Sequence, residues 1–399
     1  MTPGARVQAA IDILGPVLRG APAEREATRW ARGARYAGSG DRAAVRDLVF
    51  DALRRLRSSA WLGGQGEVAV EAMEARRVVA GLLRGQGRDP ADLFTGAGHA
   101  PAPLGAAEAA GPPLDAAPDG VRLDLPDWVL ARLRAAEGDV AEGIAAALRA
   151  RAPVHLRANL ARGTRADLIE RLADHGIAAA AHPAAPGAVA LEGAPRGLDR
   201  LPEFAAGLFE LQDAGSQTLV EGALEGIAPG RVLDLCAGGG GKALAVAARW
   251  PEAEIVAHDA DPARLAALPP RAARAGARIA LSGDPEGPFD LVIADVPCSG
   301  SGAWRRAPEA KWRLTPERLA DLCATQAALL DRARHLVRPG GRVAYMTCSV
   351  LSEENGGAVE AALARHGDLA EARRIALRPG ESRPEGNTDG FFLSVLHRG

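Results

Sequence analysis

From residue 205 to the C-terminus the chain alternates short apolar runs with amphipathic stretches, and this pattern restricts the fold more than any other feature. The runs RVLDLC, EIVAHDA, RIALSG, FDLVIADV, GRVAYMTC and GFFLSVLHR read as strands, and helical patterns lie between most of them. Strands separated by helices predict an α/β, Rossmann-like, doubly wound and mostly parallel sheet over residues 205–399. Ligands of such sheets sit at the carboxyl ends of the strands. The chemically loaded residues of this chain fall at those ends.

At 399 residues the chain is too long for one ordinary core, and the upstream half divides by pattern. Residues 4–85 are helical in period. ARVQAAIDILGPVLRG puts Val7, Ile11, Leu14 and Leu18 on one face, and SGDRAAVRDLVFDALRRLRSSAWL runs from an N-cap at Ser39 or Asp41 through Val45, Leu48, Val49, Ala52, Leu53 and Leu56. Residues 95–125 are rich in Gly, Pro and Ala and read as a linker, so a helical domain with its linker is expected over 1–125. Residues 126–204 read as an α+β segment: LPDWVLARLRA starts a helix, APVHLRANL and GAVALEG are strands, and TRADLIERLADHG is a capped helix ending at Gly176.

Composition excludes several classes. No apolar run approaches the roughly 20 residues of a membrane span, and the N-terminus has no signal-peptide pattern. Four cysteines without zinc spacing predict neither a disulfide framework nor a metal site, so a reduced, cytoplasmic protein is expected. The net charge of −2 does not advertise a polyanion partner, yet residues 1–62 carry 11 Arg against 6 acids. The 48 basic residues are 46 Arg and 2 Lys, and both lysines, Lys242 and Lys311, fall in motif-like stretches. A compact ammonium kept against such a bias suggests sites where the planar guanidinium does not fit.

RVLDLCAGGGGKALAVAARW is a strand, a glycine turn and a helix, and Gly238, Gly239, Gly240 and Gly241 allow close approach of backbone to ligand. A P-loop is excluded because Cys236 replaces the first glycine of GxxxxGK[ST] and Ala243 the last residue. The loosest GxGxxG pattern tolerates Ala243, but Asp234 at the strand end would repel a pyrophosphate. It would attract the amino group of S-adenosylmethionine. Asp259 ends the next strand and suits ribose hydroxyls; Asp284 ends the third and suits the adenine amino group. Strand-end aspartates are also common helix caps, which applies to Asp261 or Asp284 taken singly.

Cys298, with Asp295 and Pro297, ends the fourth strand, and Cys348 ends the fifth. Neighbouring strands lie about 4.8 Å apart, so the two thiols can share a cleft. Cys323, inside LADLCATQAALL, reads as a packing residue, and Cys236 as a wall of the glycine loop. A methyl donor beside a thiol points to carbon-5 of a pyrimidine, which becomes nucleophilic once a thiolate has added at carbon-6. That chemistry needs a nucleophile, a group polarising the ring, for which Asp295 and Lys242 are candidates, and help with elimination.

FELQDAGSQ, DLCAGGGGK, ADVPCSGSGAWRRAPEAKW, RPGGRVAYMTCSVLSEEN and TDGFF together resemble the Sun-type (Fmu/RsmB-like) family of RNA cytosine-5 methyltransferases. The resemblance implies Cys348 as nucleophile and Cys298 in product release. It implies S-adenosylmethionine held by Cys236, Ala237, Gly238, Gly239, Gly240, Gly241, Lys242, Asp259, Asp284 and Asp295. The family loop usually reads Cys-Ala-Ala-Pro-Gly-Gly-Lys-Thr; here it is Cys-Ala-Gly-Gly-Gly-Gly-Lys-Ala. SGDRAAVRDLVFDALRR is similar to the NusB-like RNA-binding domain of the bacterial ribosomal branch, and LPDWVLARL with VHLRANLARGTRADLIERL to its RNA-recognition-like middle segment. The resemblance thus implies 16S rRNA, or a small-subunit particle, as partner of a monomeric enzyme without metal or membrane.

Arg157, Asn159, Arg162 and Arg165 are candidate phosphate contacts. The run Trp304, Arg305, Arg306, Lys311, Trp312, Arg313 is a candidate clamp for RNA backbone and bases near the thiols. A target base must leave its stack to expose carbon-6. Two other readings compete: a methyltransferase for a non-RNA substrate, which leaves the paired thiols unexplained, and a noncatalytic RNA-binding ribosome-assembly factor with a vestigial cofactor fold.

Overall fold

The computed structural model describes residues 1–108, 110–381 and 387–399; Ala109, inside the expected linker, lies outside them. The chain divides into two compact units, Met1–Arg151 with Trp304–Leu314 and Ala152–Ala303 with Thr315–Gly399.

The first unit is helical. Helices Pro3–Leu18, Ala23–Gly33, Ser39–Arg54, Leu56–Leu62 and Ala75–Gly85 bury one core that includes Val7, Leu14, Val45, Val49, Leu53, Leu56 and Leu82. The helix expected to be capped by Ser39 or Asp41 begins after Gly38; Asp41 sits in its first turn and accepts from the Gly38 amide at 3.2 Å. The expected linker is ordered at its end, where Val121, Leu123 and Leu125 are buried. Asp124, at φ 53°, is fully buried and accepts from the Ser58 amide (2.9 Å) and hydroxyl (2.8 Å) and pairs with Arg149 at 2.8 Å. Helix Asp127–Glu137, read from sequence with the α+β segment, falls in this unit, as does helix Ala141–Leu148, which the sequence did not announce.

The run 304–313 corrects a sequence expectation. Trp304, Arg305 and Lys311 are each 1% exposed, within the helical unit. The Trp312 indole donates to the Leu53 carbonyl (2.7 Å), Lys311 Nζ to the Arg54 carbonyl (3.1 Å), and Arg54 Nε to the Arg305 carbonyl (2.7 Å). Trp304, Arg305, Lys311 and Trp312 therefore serve packing and main-chain carbonyls and are not an exposed RNA clamp, whereas Arg306 and Arg313 of the same run are exposed.

The second unit contains two sheets. Strands β1 (Val154–Ala158), β2 (Ala179–Ala181), β3 (Ala188–Leu191) and β4 (Phe209–Leu211) form an antiparallel sheet in the order β2-β3-β1-β4. Helix Arg165–Asp174 contributes Leu168 and Leu172 to the core this sheet shares with Leu156, Val189 and Phe209. Thr164 caps that helix: its hydroxyl accepts from the Asp167 amide at 3.1 Å, and Asp167 answers the Thr164 amide at 3.2 Å. The candidate phosphate contacts on this segment are committed elsewhere. Arg157 is buried and donates to the Gly241 carbonyl (2.7 Å) and to Gln212; Asn159 is buried against the Gly207 and Ala275 carbonyls (3.0 Å each). Arg162 and Arg165 likewise donate to main-chain carbonyls, of Ala275 and Ala206 and of His182 and Ala185.

The larger sheet comprises β5 (Arg231–Asp234), β6 (Glu254–Ala257), β7 (Ile279–Leu281), β8 (Phe289–Asp295), β9 (Val337–Thr347), β10 (Leu369–Leu377) and β11 (Phe391–Arg398), ordered β10-β11-β9-β8-β5-β6-β7. Strands β5 to β9 pair in parallel, and β11 runs antiparallel between β9 and β10. Both faces are covered, so consecutive residues are all apolar: Val232, Ile293 and Met346 pack into one layer, while Leu233, Val292 and Tyr345 pack into the other. Strand β10, LAEARRIAL, was not expected from sequence. It is an edge strand that carries Glu371, Arg373 and Arg374, charges that blunt edge pairing and disguise the apolar signal. Because β6 and β8 flank β5 on opposite sides, a crevice opens above its carboxyl end.

Candidate active site

The glycine loop rises from β5 into helix Gly241–Arg249. Gly238 (φ 49°) and Gly240 (φ 77°) occupy left-handed backbone that other residues rarely adopt. A Cβ on Gly240 would lie 2.2 Å from Leu268, so this turn also admits only glycine on packing grounds. At the two positions where the loop departs from the family pattern, arginines fill the space. A Cβ on Gly238 would stand 3.1 Å from Arg264 and one on Gly239 2.9 Å from Arg271, which donates to the Gly239 carbonyl.

Asp259 ends up beneath this loop. It is buried, accepts from the Gly238 amide (2.9 Å) and the Asp261 amide (3.0 Å), and pairs with Arg264 at 3.1 Å. Asp284 is 94% exposed and lies 3.4 Å from Arg332. Asp234 is 1% exposed, and its Oδ2 accepts from the Ala243 amide at 3.0 Å. Its Oδ1 is buried and makes no hydrogen bond of full geometry, although the Cys236 amide lies close enough to favour the carboxylate. Burial first, and then the charge of Asp295, push this carboxyl up to about 7 despite Lys242. An unmatched, buried carboxylate oxygen beside a main-chain cradle suits an ammonium-bearing nucleoside such as S-adenosylmethionine, so the residues present fit that group. Cys236 remains a neutral thiol, pushed to about 12 by burial and the surrounding aspartates.

Lys242 leaves the first turn of the same helix and forms an ion pair with Asp295 at 2.5 Å, 10% and 35% exposed respectively. Burial opposes the ammonium, but Asp295, Asp234 and Cys348 more than offset it, and the lysine is held above its usual range. Its place explains why a lysine survives here: a thin, buried stem delivers one point charge among two carboxylates and a sulfur.

The two strand-end thiols meet. Cys298 Sγ lies 3.4 Å from Cys348 Sγ, and all four cysteines of the chain are free. The hydrogen bond with Cys348, then burial, raise Cys298 well above the ordinary thiol range, with Glu354 adding to the effect. The sulfurs hold this spacing because β8 and β9 are in register, with Asp295 opposite Met346, and because their loops are tied together. Gly302 donates to the Cys348 carbonyl at 2.9 Å, and Gly390 donates to the Gly302 carbonyl at 2.9 Å. A Cβ on Gly302 would sit 2.2 Å from the Gly390 carbonyl oxygen, and one on Gly215 2.6 Å from the Phe391 ring. Four motifs distant in sequence, QDAGSQ, CSGSG, TCS and TDGFF, thus converge by glycine-to-backbone and glycine-to-ring packing.

Several residues here went unread in the sequence. Glu354, fully buried, accepts from the Ser299 amide (2.7 Å) and hydroxyl, the Ser349 hydroxyl (2.6 Å) and Gln326 Nε2 (3.0 Å). Ser301 bonds Ser349 at 2.8 Å, Tyr345 donates to the Glu354 carbonyl at 2.6 Å, and Asn355 donates to the Ser349 carbonyl at 3.0 Å. The available signal was a serine directly after each cysteine and the acids of LSEEN, whose burial no pattern of hydropathy announces. Among the described residues no cluster of His, Cys, Asp and Glu forms a metal site, and no helix is long and apolar enough to cross a membrane.

Comparison with known proteins agrees with this geometry. Residues 223–397 match the model of the 16S rRNA methyltransferase RsmB/F family, and residues 125–196 match the ferredoxin-like domain of RsmF/B-like methyltransferases. A Salmonella newport protein named ribosomal RNA small subunit methyltransferase B is 32% identical over 347 residues, which cover 83% of this chain and 75% of that one. The chain belongs to the RsmB/F family. A Xanthomonas campestris relative of the same name is 36% identical over 291 residues, 68% of this chain, and the match spans 66% of the relative's length, just under two thirds. The crystal structure of PH0851 superposes with a TM-score of 0.79 at 20% identity, covering 100% of this chain and 99% of that one, which establishes the fold. As in RsmB/F proteins generally, the cofactor is S-adenosylmethionine.

Proposed function

We propose that this RsmB/F protein is an S-adenosylmethionine-dependent RNA (cytosine-5) methyltransferase acting on 16S rRNA through a bond between Cys348 and carbon-6 of the target base. The observation that carries this reading is the pair of thiols 3.4 Å apart beside the Lys242–Asp295 pair. The main chain of Cys236–Gly241, with Asp259, Asp284 and Asp295, would hold the cofactor, and Asp234 its amino group. When bound, S-adenosylmethionine supplies an electrophilic methyl group for carbon-5.

The side chains supply the rest. The contact with Cys348 and burial hold Cys298 as a neutral thiol. Cys348 adds as thiolate at carbon-6, which places an enamine across carbons 5 and 6. Asp295 polarises the ring near its 3- and 4-positions, and the Lys242 ammonium balances the charge of Asp295 and of the thiolate. After methylation the carbon-5 proton passes to water, the carbon–sulfur bond to Cys348 breaks with its electron pair returning to sulfur, and the Cys298 thiol assists by donating its proton to the departing thiolate 3.4 Å away. The target cytosine lies in a loop or is flipped from its stack. The helical unit contributes RNA affinity, and the enzyme works as a cytoplasmic monomer on rRNA or a small-subunit particle.

Tritiated methyl transfer to unmodified 16S rRNA, followed by bisulfite mapping, tests the reading. Cys348→Ala should abolish transfer. Cys298→Ala should leave an RNA–protein adduct that survives a denaturing gel; normal turnover with no adduct would refute the assigned roles. RNA binding without any transfer would favour an assembly factor, and transfer to a small molecule or protein alone would favour a non-RNA substrate.

A further inference from the structure

We infer that Glu354 is a positioning residue for the thiol pair: its buried carboxylate, gripping Ser299 and Ser349, sets the separation of Cys298 and Cys348. The inference rests on the proposed roles of the two cysteines. Each cysteine is followed by a serine, and both serine hydroxyls converge on Glu354 Oε2, at 2.6 Å for Ser349. The Ser299 amide and Gln326 Nε2 take Oε1, at 2.7 and 3.0 Å. Gln326 also donates to the Pro297 carbonyl at 3.0 Å, so the residue before Cys298 is held by the same hub.

A buried carboxylate left without donors is costly, and here four donors from two loops and one helix meet it. Those donors are what make the arrangement specific. Moving either cysteine loop along its strand direction breaks bonds to a charged acceptor, which are stronger than neutral ones. The main-chain contacts at Gly302 fix the loops against each other but not the sulfurs, since rotation about the loop residues would still separate them. The serine–glutamate links act at the residues adjoining the sulfurs. The charged and titratable groups that act on the pair are Lys242, of helix Gly241–Arg249, on Cys348, and Tyr345 of β9 and Glu354 of the loop after it on Cys298.

Phenylarsine oxide tests the spacing directly. It forms two arsenic–sulfur bonds with a close dithiol and releases its oxygen as water, so its affinity reports sulfur separation without RNA or cofactor. The full-length protein should bind one equivalent, and Cys298→Ala or Cys348→Ala should each lose it. Glu354→Leu removes all four acceptor contacts and should weaken the arsenical at least tenfold. Glu354→Gln keeps an acceptor oxygen and should stay within about threefold of the parent, a rescue that loss of general stability would not produce. In methyl transfer, Glu354→Leu should lower kcat and leave KM for RNA unchanged. Should Glu354→Leu fail to fold, Ser299→Ala with Ser349→Ala removes the hydroxyl links and should weaken the arsenical in the same direction. Parent-like arsenical affinity in the folded leucine or double-alanine variant overturns the inference. A parent protein that binds the arsenical through both cysteines but methylates no RNA refutes the proposed function and leaves the positioning result standing.

Discussion

Asp234 makes cofactor affinity depend on pH in a way that can be calculated. Its carboxyl is pushed from 3.8 to about 7, first by burial and second by Asp295. Ionisation in the empty site therefore costs about 4 kcal/mol more than in water. For an acid raised on folding, the stabilising contribution is complete below pH 3.8 and is lost as pH rises through about 7. Binding has the opposite sign, because an ammonium prefers the ionised carboxylate. Only the ionised fraction is competent, so affinity for S-adenosylmethionine at pH 5.5 should be about 25-fold weaker than at pH 7.5. The ligand's α-amino group loses its own proton near pH 8, so affinity should peak between about 7 and 8. Isothermal titration from pH 5.5 to 8.5 measures this. Asp234→Asn should bind more weakly at pH 7.5 and lose the acid limb, because an amide cannot titrate. The same 25-fold fall in Asp234→Asn would refute the assignment.

Other perturbations follow from contacts already described. Gly302→Ala places a methyl against the Gly390 carbonyl and should cost about 1–3 kcal/mol in chemical denaturation while sharply reducing methyl transfer; full activity would mean the thiol loop does not need this contact. Lys311 is depressed to about 7, by burial first, with Asp124 opposing and Arg149 and Arg54 reinforcing. The unfolded chain therefore binds the extra proton between pH 7 and 10.5, and stability of the helical unit should rise over that window in the parent and not in Lys311→Met; thermal unfolding at pH 7 and 9 compares them. Thr164→Ala removes the cap of helix Arg165–Asp174 and should cost about 1 kcal/mol by denaturant midpoint, with no effect on cofactor affinity.

The sequence by itself determined the parallel sheet, because a strand buried on both faces must be continuously apolar and the connecting helices must be amphipathic. It also located the glycine turn and both thiols, because these are local patterns at strand ends. What it left open depends on packing between distant segments. Strand β10 was hidden by the charges of an exposed edge. The run 304–313 looked like an RNA surface by composition, yet Trp304, Arg305 and Lys311 are each 1% exposed within the helical unit, where their donors meet main-chain carbonyls. Arg157 and Asn159 likewise turned inward to carbonyl groups, since a guanidinium or amide serves phosphate and backbone oxygen with the same donors. Only the tertiary structure decided that Cys298 and Cys348 touch, that Asp234 keeps an oxygen unmatched, and that Glu354 stands beneath both thiols. Hydropathy records whether a residue tends to be buried; it carries no information on which buried partner a polar side chain finds, and in this protein those pairings make the site.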